Sequence, residues 1–195
     1  PAHAAAGHLQ ESLPTVSALL ARIPFAPMAV VALGFDRGAV KHDLAGFGVL
    51  IPTREKRELL GALWTSSIFE GRAPDGKVLI RAMTGGADNP RVMDLDDNAL
   101  ATLVMAELRP LLRIKGNPDM VRIIRHRRAI AQYEPGHLAL LAGIGRELEQ
   151  TRGLYLTGSS YRGISVNVCA KEAEKTADLV LADLAGAAAH STEAT

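Results

Sequence analysis

One cysteine, 4% aromatic residues and almost no net charge remove several classes of protein before any motif is read. A lone thiol, Cys169, excludes an intrachain disulfide framework and a multi-cysteine zinc site. The 22 Lys and Arg residues against 21 Asp and Glu leave a formal charge of +1, and the charges are interspersed. That balance lacks both the basic stripe of a nucleic-acid binder and a polybasic membrane patch, so no nucleic-acid partner is expected. The longest strongly apolar run, residues 28–34, falls far short of the roughly 20 residues that span a bilayer. The first residues lack the charged and apolar regions of a signal peptide, which points to a soluble, cytoplasmic protein. Also missing are Gly-x-Ser-x-Gly, His-Glu-x-x-His and any metal-ligand spacing, so no metal is expected. Gly143-Ile-Gly145 begins like a dinucleotide fingerprint, but Leu148 takes the third glycine position and no strand precedes it.

What the 195 residues do contain is enough apolar material, 48%, for one domain or two small ones. The first twenty residues suit one or two short helices interrupted near Pro14. Residues 27–35 form an apolar run bounded by Pro and Gly, as a strand buried on both faces does. Further strands are expected at 46–51, 60–65, 77–84 and 119–125. The 77–84 segment alternates, with Val78, Ile80 and Ala82 on one side and Leu79, Arg81 and Met83 on the other. Residues 94–112 read as an amphipathic helix with Asp near its N-cap and Pro110 near its end.

After Arg128 the pattern changes to helix, strand, helix: 136–150, a short buried strand at 153–158, then 165–184 with Ala173, Ala177, Val180, Leu181 and Leu184 on one stripe. The Ala-rich end, 186–195, reads as frayed. The fold class is thus α+β: a mixed sheet with flanking helices to residue 128, then a piece too small to be a domain alone.

Chemistry concentrates at Gly158-Ser-Ser-Tyr-Arg-Gly163 and the helix start that follows. A helix N-terminus after a strand offers free backbone N–H groups and a positive dipole end to an anionic group. A tight turn without a ligand accounts for the same residues. His126 sits among Arg122, Arg125, Arg127 and Arg128, which read as a solvated basic face. His137 reads as a capping or packing residue. Cys169 reads as a small buried side chain, with a reactive thiol as the alternative.

Three stretches, in order, resemble the C-terminal half of the FAD-dependent protoporphyrinogen oxidase family, within the flavin-containing amine oxidase superfamily. The first is Gly46-Phe-Gly-Val-Leu-Ile-Pro52 with Leu60-Gly-Ala-Leu-Trp-Thr-Ser-Ser-Ile-Phe69 and Met83-Thr-Gly-Gly86. The second is Ala129-Ile-Ala-Gln-Tyr-Glu-Pro-Gly-His137, and the third Gly158-Ser-Ser-Tyr-Arg-Gly-Ile-Ser-Val-Asn-Val-Cys169. The sequence departs from the family at Ala131, where Pro is usual, at Val168, where Asp is usual, and at His126, where Trp is common.

The resemblance implies a porphyrinogen slot lined by Phe47, Gly48, Leu50 and Met83, with Leu63 and Ile130 as further apolar walls. The competing account is that these residues form the core of the sheet. It implies FAD contacts through Gly158 and Ile164-Ser-Val166, with Arg125 and His126 beside the flavin ring. It divides the chain into a substrate-binding part, 1–128, the C-terminal strand–helix segment of a Rossmann-like FAD-binding domain, 129–185, and a flexible tail, 186–195. FAD would be held mainly by an N-terminal half upstream of Pro1. The implied reaction oxidises protoporphyrinogen IX or coproporphyrinogen III to the porphyrin for heme synthesis, with O2 as the final acceptor and no catalytic side chain from this chain. Further implied partners are that N-terminal half, a peripheral contact with the inner face of the cell membrane through it, and a second copy in a homodimer. The competing readings are another flavin amine oxidase-type oxidoreductase and a truncated, non-catalytic binding remnant.

Overall fold

The computed structural model describes residues 1–193, with side chains described through Gly186. The chain divides into two compact units, Ala26–Ala129, and Pro1–Phe25 with Ile130–Thr195.

The Ala26–Ala129 unit is built on a five-stranded sheet. Its strands are β1 (Phe25–Asp36), β2 (Gly48–Leu50), β3 (Leu59–Leu63), β4 (Lys77–Gly85) and β5 (Met120–Ala131), in the order β2-β3-β4-β1-β5. The ladders β1/β4, β2/β3 and β3/β4 are antiparallel. At the two ends of β1 and β5, Asp119 N–H bonds the Gly34 carbonyl and Gln132 N–H bonds the Pro24 carbonyl, so this pair also runs in opposite directions. The α+β class stands, and within it the sheet is antiparallel rather than mixed.

Alternation decides which face is covered. Ala29, Val31, Leu33 and Phe35 of β1 and Val78, Ile80 and Ala82 of β4 are buried in one cluster. The same cluster holds Leu100, Val104, Leu108 and Leu112 of the amphipathic helix over Asp97–Leu112. Each buried Val, Leu, Ile or Phe among them contributes about 1.5–3 kcal/mol. The helix starts where Asp96 Oδ1 accepts the Ala99 N–H at 2.8 Å and ends at left-handed Arg113, running through Pro110 without a break. A one-turn helix, Thr65–Ile68, follows β3.

β5 is longer than the expected 119–125. Its second half, Arg125-His-Arg-Arg128, carries no apolar alternation, yet pairing to β1 holds it extended.

The second unit packs α1 (Ala2–Leu9), α2 (Pro14–Ala21) and α5 (His137–Leu148) around Ala2, Ala6, Val16, Leu20, Ile23, Leu141 and Ile144. For this count α3 is Thr65–Ile68 and α4 is Asp97–Leu112. The first 25 residues therefore belong with the C-terminal helices, whereas the sequence grouped them with the sheet. Their apolar residues are too short-spaced to show which partner they cover. The Ala2 N–H donates to buried Ser160 Oγ at 3.0 Å and so ties the first piece to the second, while within the first piece Ser17 Oγ donates to the Ala6 carbonyl at 2.7 Å and ties α2 to α1.

The expected strand at 153–158 is not formed; the segment is irregular chain between α5 and α6 (Val166–Glu193). A strand needs a neighbour for its backbone N–H and C=O groups, and no ladder reaches these residues. Leu154, Tyr155 and Leu156 are half-buried side chains on an unladdered backbone. α6 continues to Glu193, beyond Leu184 where the sequence ended it, so most of the stretch expected as a frayed tail over 186–195 is helical and only its last two residues lie outside the described residues. Leu181 and Leu184, on the expected apolar stripe, are exposed.

Candidate functional site

The residues expected to line a porphyrinogen slot fall on the sheet face away from α4. In the ladders Gly48 pairs with Leu63, Leu63 with Arg81, and Leu50 with Gly61, which pairs with Met83. These positions alternate with buried Ala62, Ile80 and Ala82, so Gly48, Leu50, Leu63 and Met83 share the opposite face. Val30 and Ala32 of β1, in register with Met83 and Arg81, extend it. Leu50 is 79% exposed, and Phe47, just before β2, is 66% exposed. Leu63 and Met83 are half-buried. Gly48 has a structural reason of its own. A Cβ there would stand 2.2 Å from the Ala62 carbonyl oxygen, so glycine lets β2 approach β3. Ile130 lies near the end of β5 in the other unit, and its carbonyl accepts the Gln132 side-chain amide at 3.0 Å.

Arg125 and His126 part company. Ile123 packs into the helix-covered core, and a Cβ on Gly34 would meet Met120 Cβ at 3.2 Å on the other side. Arg125 follows Ile123: its guanidinium bonds Asp97 at the start of α4 and the Leu95 carbonyl at 2.8 Å. A guanidinium so engaged anchors the helix and leaves exposed His126, on the open face with Arg122, Ile124 and Arg128, as the accessible member of the pair.

The turn before α6 is held from several sides. Ser165 is the helix's N-cap: its Oγ accepts the Val168 N–H at 3.3 Å and its carbonyl accepts the Cys169 N–H at 2.9 Å. Gly163 has φ +72°, and a Cβ on it would fall 2.0 Å from Val168 Cγ1. Val168 thus fills the space beside a glycine that nothing larger can replace. Ile164 and Val166 are 62% and 85% exposed. The N–H groups of Val166 and Asn167, in the first turn, have no partner among the described residues. Gly158, with φ +113°, opens the turn and has open space around it.

A lock that sequence patterns left unassigned stands behind this turn. The Tyr133 ring stacks on His137, with centroids 4.1 Å apart and 12° between planes. The Tyr133 hydroxyl donates to the Ser159 carbonyl at 2.7 Å, and His137 Nε2–H donates to the Tyr161 carbonyl at 2.9 Å. Two adjacent rings therefore hold two carbonyls of the loop. Burial raises the Tyr133 phenol above its ordinary pKa of 10, with the neighbouring Cys169 adding to the shift. Burial raises the Tyr161 phenol as well. The spacing Tyr133-x-x-x-His137 was the available signal. His137 is buried, as a packing residue should be.

Among the described residues, no group of three or more His, Cys, Asp or Glu side chains could hold a metal ion. No helix among them is long and apolar enough to cross a membrane.

The chain belongs to the flavin containing amine oxidoreductase family, whose pattern matches residues 1–181. Within that class its relatives act in tetrapyrrole chemistry by name. It is 33% identical over 170 residues to coproporphyrinogen III oxidase of Bacillus subtilis, an alignment covering 87% of this chain and 36% of that protein. It is 30% identical over 165 residues to the mitochondrial protoporphyrinogen oxidase of Nicotiana tabacum, covering 83% and 33%. A crystal structure from Exiguobacterium sp. 255-15, provisionally named a protoporphyrinogen oxidase, superposes with a TM-score of 0.73 at 22% identity, over 90% of this chain and 39% of that one. That likeness shows the fold. The chain spans about a third of the length of the curated relatives it matches.

Proposed function

We propose that this chain supplies the substrate face and the flavin-proximal helix end of a porphyrinogen oxidase acting on coproporphyrinogen III or protoporphyrinogen IX. The observation that carries the reading is the common face of Gly48, Leu50, Leu63 and Met83, with Phe47 at its margin. A porphyrinogen is a broad, mostly apolar disc, and an open sheet face of apolar side chains and glycine lets it lie flat. The names of the relatives support this substrate class.

The residues here fit FAD at its flavin end only. The exposed first turn of α6 offers the Val166 and Asn167 N–H groups beside small residues, and its positive dipole end suits negative charge on a flavin pyrimidine. When bound, FAD supplies hydride acceptance from the porphyrinogen and reoxidation by O2. The roles of this chain's own residues are positional. Ser165 fixes the start of α6, Tyr133 and His137 hold the loop carbonyls behind it, and the sheet face orients the disc and excludes water from one side of it. No side chain here is assigned a proton transfer.

The test is steady-state kinetics of the FAD-loaded enzyme containing this chain, with Met83→Ala and Phe47→Ala. Each is expected to raise KM for the porphyrinogen by the equivalent of roughly 1–3 kcal/mol, the scale of one lost apolar contact. Flavin content should stay at the wild-type level. Two variants with wild-type KM would remove this face from the substrate site.

A further inference from the structure

Asp36 is the only carboxylate on any of the five strands, against Lys77, Arg81, Arg122, Arg125, Arg127 and Arg128. It sits at the end of β1 and is held by Lys77 at 2.7 Å, while Lys77 also bonds Asp119 at 2.8 Å. Arg125 is committed to Asp97 on the helix-covered face. Arg81 differs from both. Its Cα lies opposite Leu63 in the β3 ladder and opposite Ala32 in the β1 ladder. Leu79 and Met83 flank it on the same face, two residues away in each direction along β4. The side chain is exposed, and no hydrogen bond or ion pair reaches its guanidinium among the described residues. Arg81 is therefore the one cation among Gly48, Leu50, Leu63, Leu79 and Met83 on β2, β3 and β4, while Arg122, His126 and Arg128 of the same face lie beyond β1 on β5.

We propose that Arg81 binds a carboxylate on the rim of the tetrapyrrole and makes this face prefer a tetracarboxylate porphyrinogen over a dicarboxylate one. The inference rests on the porphyrinogen reading above. A guanidinium presents a planar fork matched to a carboxylate, and the pair strengthens as apolar side chains and the ligand itself exclude water. A vinyl group at the same rim position covers the guanidinium without offering an acceptor. That leaves a desolvated, unpaired cation, so the dicarboxylate is penalised as well as the tetracarboxylate rewarded. The strands carry no free acid to compete for Arg81.

The experiment compares kcat/KM for coproporphyrinogen III and protoporphyrinogen IX in the FAD-loaded enzyme containing this chain, for wild type, Arg81→Leu and Arg81→Lys. Flavin content serves as the folding control. Arg81→Leu is expected to lower the coproporphyrinogen to protoporphyrinogen ratio roughly tenfold or more, through KM, with Arg81→Lys in between. Fluorescence titration with the stable porphyrins coproporphyrin III and mesoporphyrin should show the same loss for the tetracarboxylate alone. An unchanged ratio in Arg81→Leu, or an equal loss for both substrates, overturns the assignment while the porphyrinogen reading stands. A flavin-replete wild type that oxidises neither substrate overturns that reading, and the assignment with it.

Discussion

The two units of this chain are assembled on different principles. The Ala26–Ala129 unit is continuous in sequence, and its core joins β1, β4 and α4 within that one stretch. The other unit takes 25 residues from the start and the remainder from residue 130 onward, and its core closes across that gap. Buried Ala2 and buried Ser160 are hydrogen-bonded although 158 positions separate them. In the first unit, local pattern already shows which face of β4 and α4 is covered. In the second, local pattern says only that helices exist, and long-range contact decides what they cover.

The sharpest way to break this comparison is to remove volume from the continuous core. Phe35 is 1% exposed and sits among the largest buried side chains. Phe35→Ala is expected to cost about 3–5 kcal/mol in urea unfolding, because the transfer term is lost and the close-packed sheet and helix collapse only partly into the cavity. A loss under about 1 kcal/mol would mean that this core is looser than its alternation implies.

A smaller effect probes the discontinuous unit. Ser160→Ala strips the Ala2 N–H of its acceptor in a buried place, at a cost of about 1–3 kcal/mol. The readout that separates this from a general loss is amide exchange: the α1 amides should exchange faster, and those of β4 should keep their wild-type protection. Equal loss of protection in both places would erase the distinction between a unit closed across a gap in the sequence and one built from a continuous stretch.

The smallest expected effect lies at the end of the sheet. Hydrogen bonds to Asp119 and Asp36 push the Lys77 pKa up from 10.5 to about 12. The folded state therefore holds this proton more tightly than the unfolded chain does. The contribution is fully present below pH 10.5 and is lost as pH rises through about 12. Lys77 is solvent-accessible, so the effect should also shrink with added salt. Urea midpoints measured between pH 10 and 12 should fall more steeply for wild type than for Lys77→Met. Parallel curves would show that the pair contributes nothing measurable.

How far the sequence was legible follows the same division. The alternation of residues 77–84 placed β4 to within a residue, since side chains of a half-covered antiparallel strand must alternate. The acidic start and apolar stripe of 94–112 gave α4, with its Asp96 cap. Residues 153–158 read as a strand because Leu154, Tyr155 and Leu156 are apolar, but composition alone cannot supply a ladder. The second half of β5 was missed for the opposite reason: charge hid a strand that its neighbour enforces.

The candidate site divides likewise. Phe47, Gly48, Leu50, Leu63 and Met83 were nameable from motifs, but a motif has no face. Only the ladder register puts Gly48, Leu50, Leu63 and Met83 on one side of the sheet and places Arg81 among them. Arg125 and His126, adjacent in sequence, were paired as one feature. Strand geometry sends neighbouring side chains to opposite faces, and so gives Arg125 to Asp97 and leaves His126 open.

The sequence by itself determined the α+β class, the positions of β1, β4, α4 and α5, and the turn residues at Gly158 and Gly163. Each of these is a local matter of period, cap or backbone dihedral. The tertiary structure alone decided which strand neighbours which, that residues 1–25 join the C-terminal helices, and that Tyr133 and His137 grip the loop at Ser159 and Tyr161. Those are contacts between residues far apart in the chain, and their free energy depends on three-dimensional packing that no local window contains.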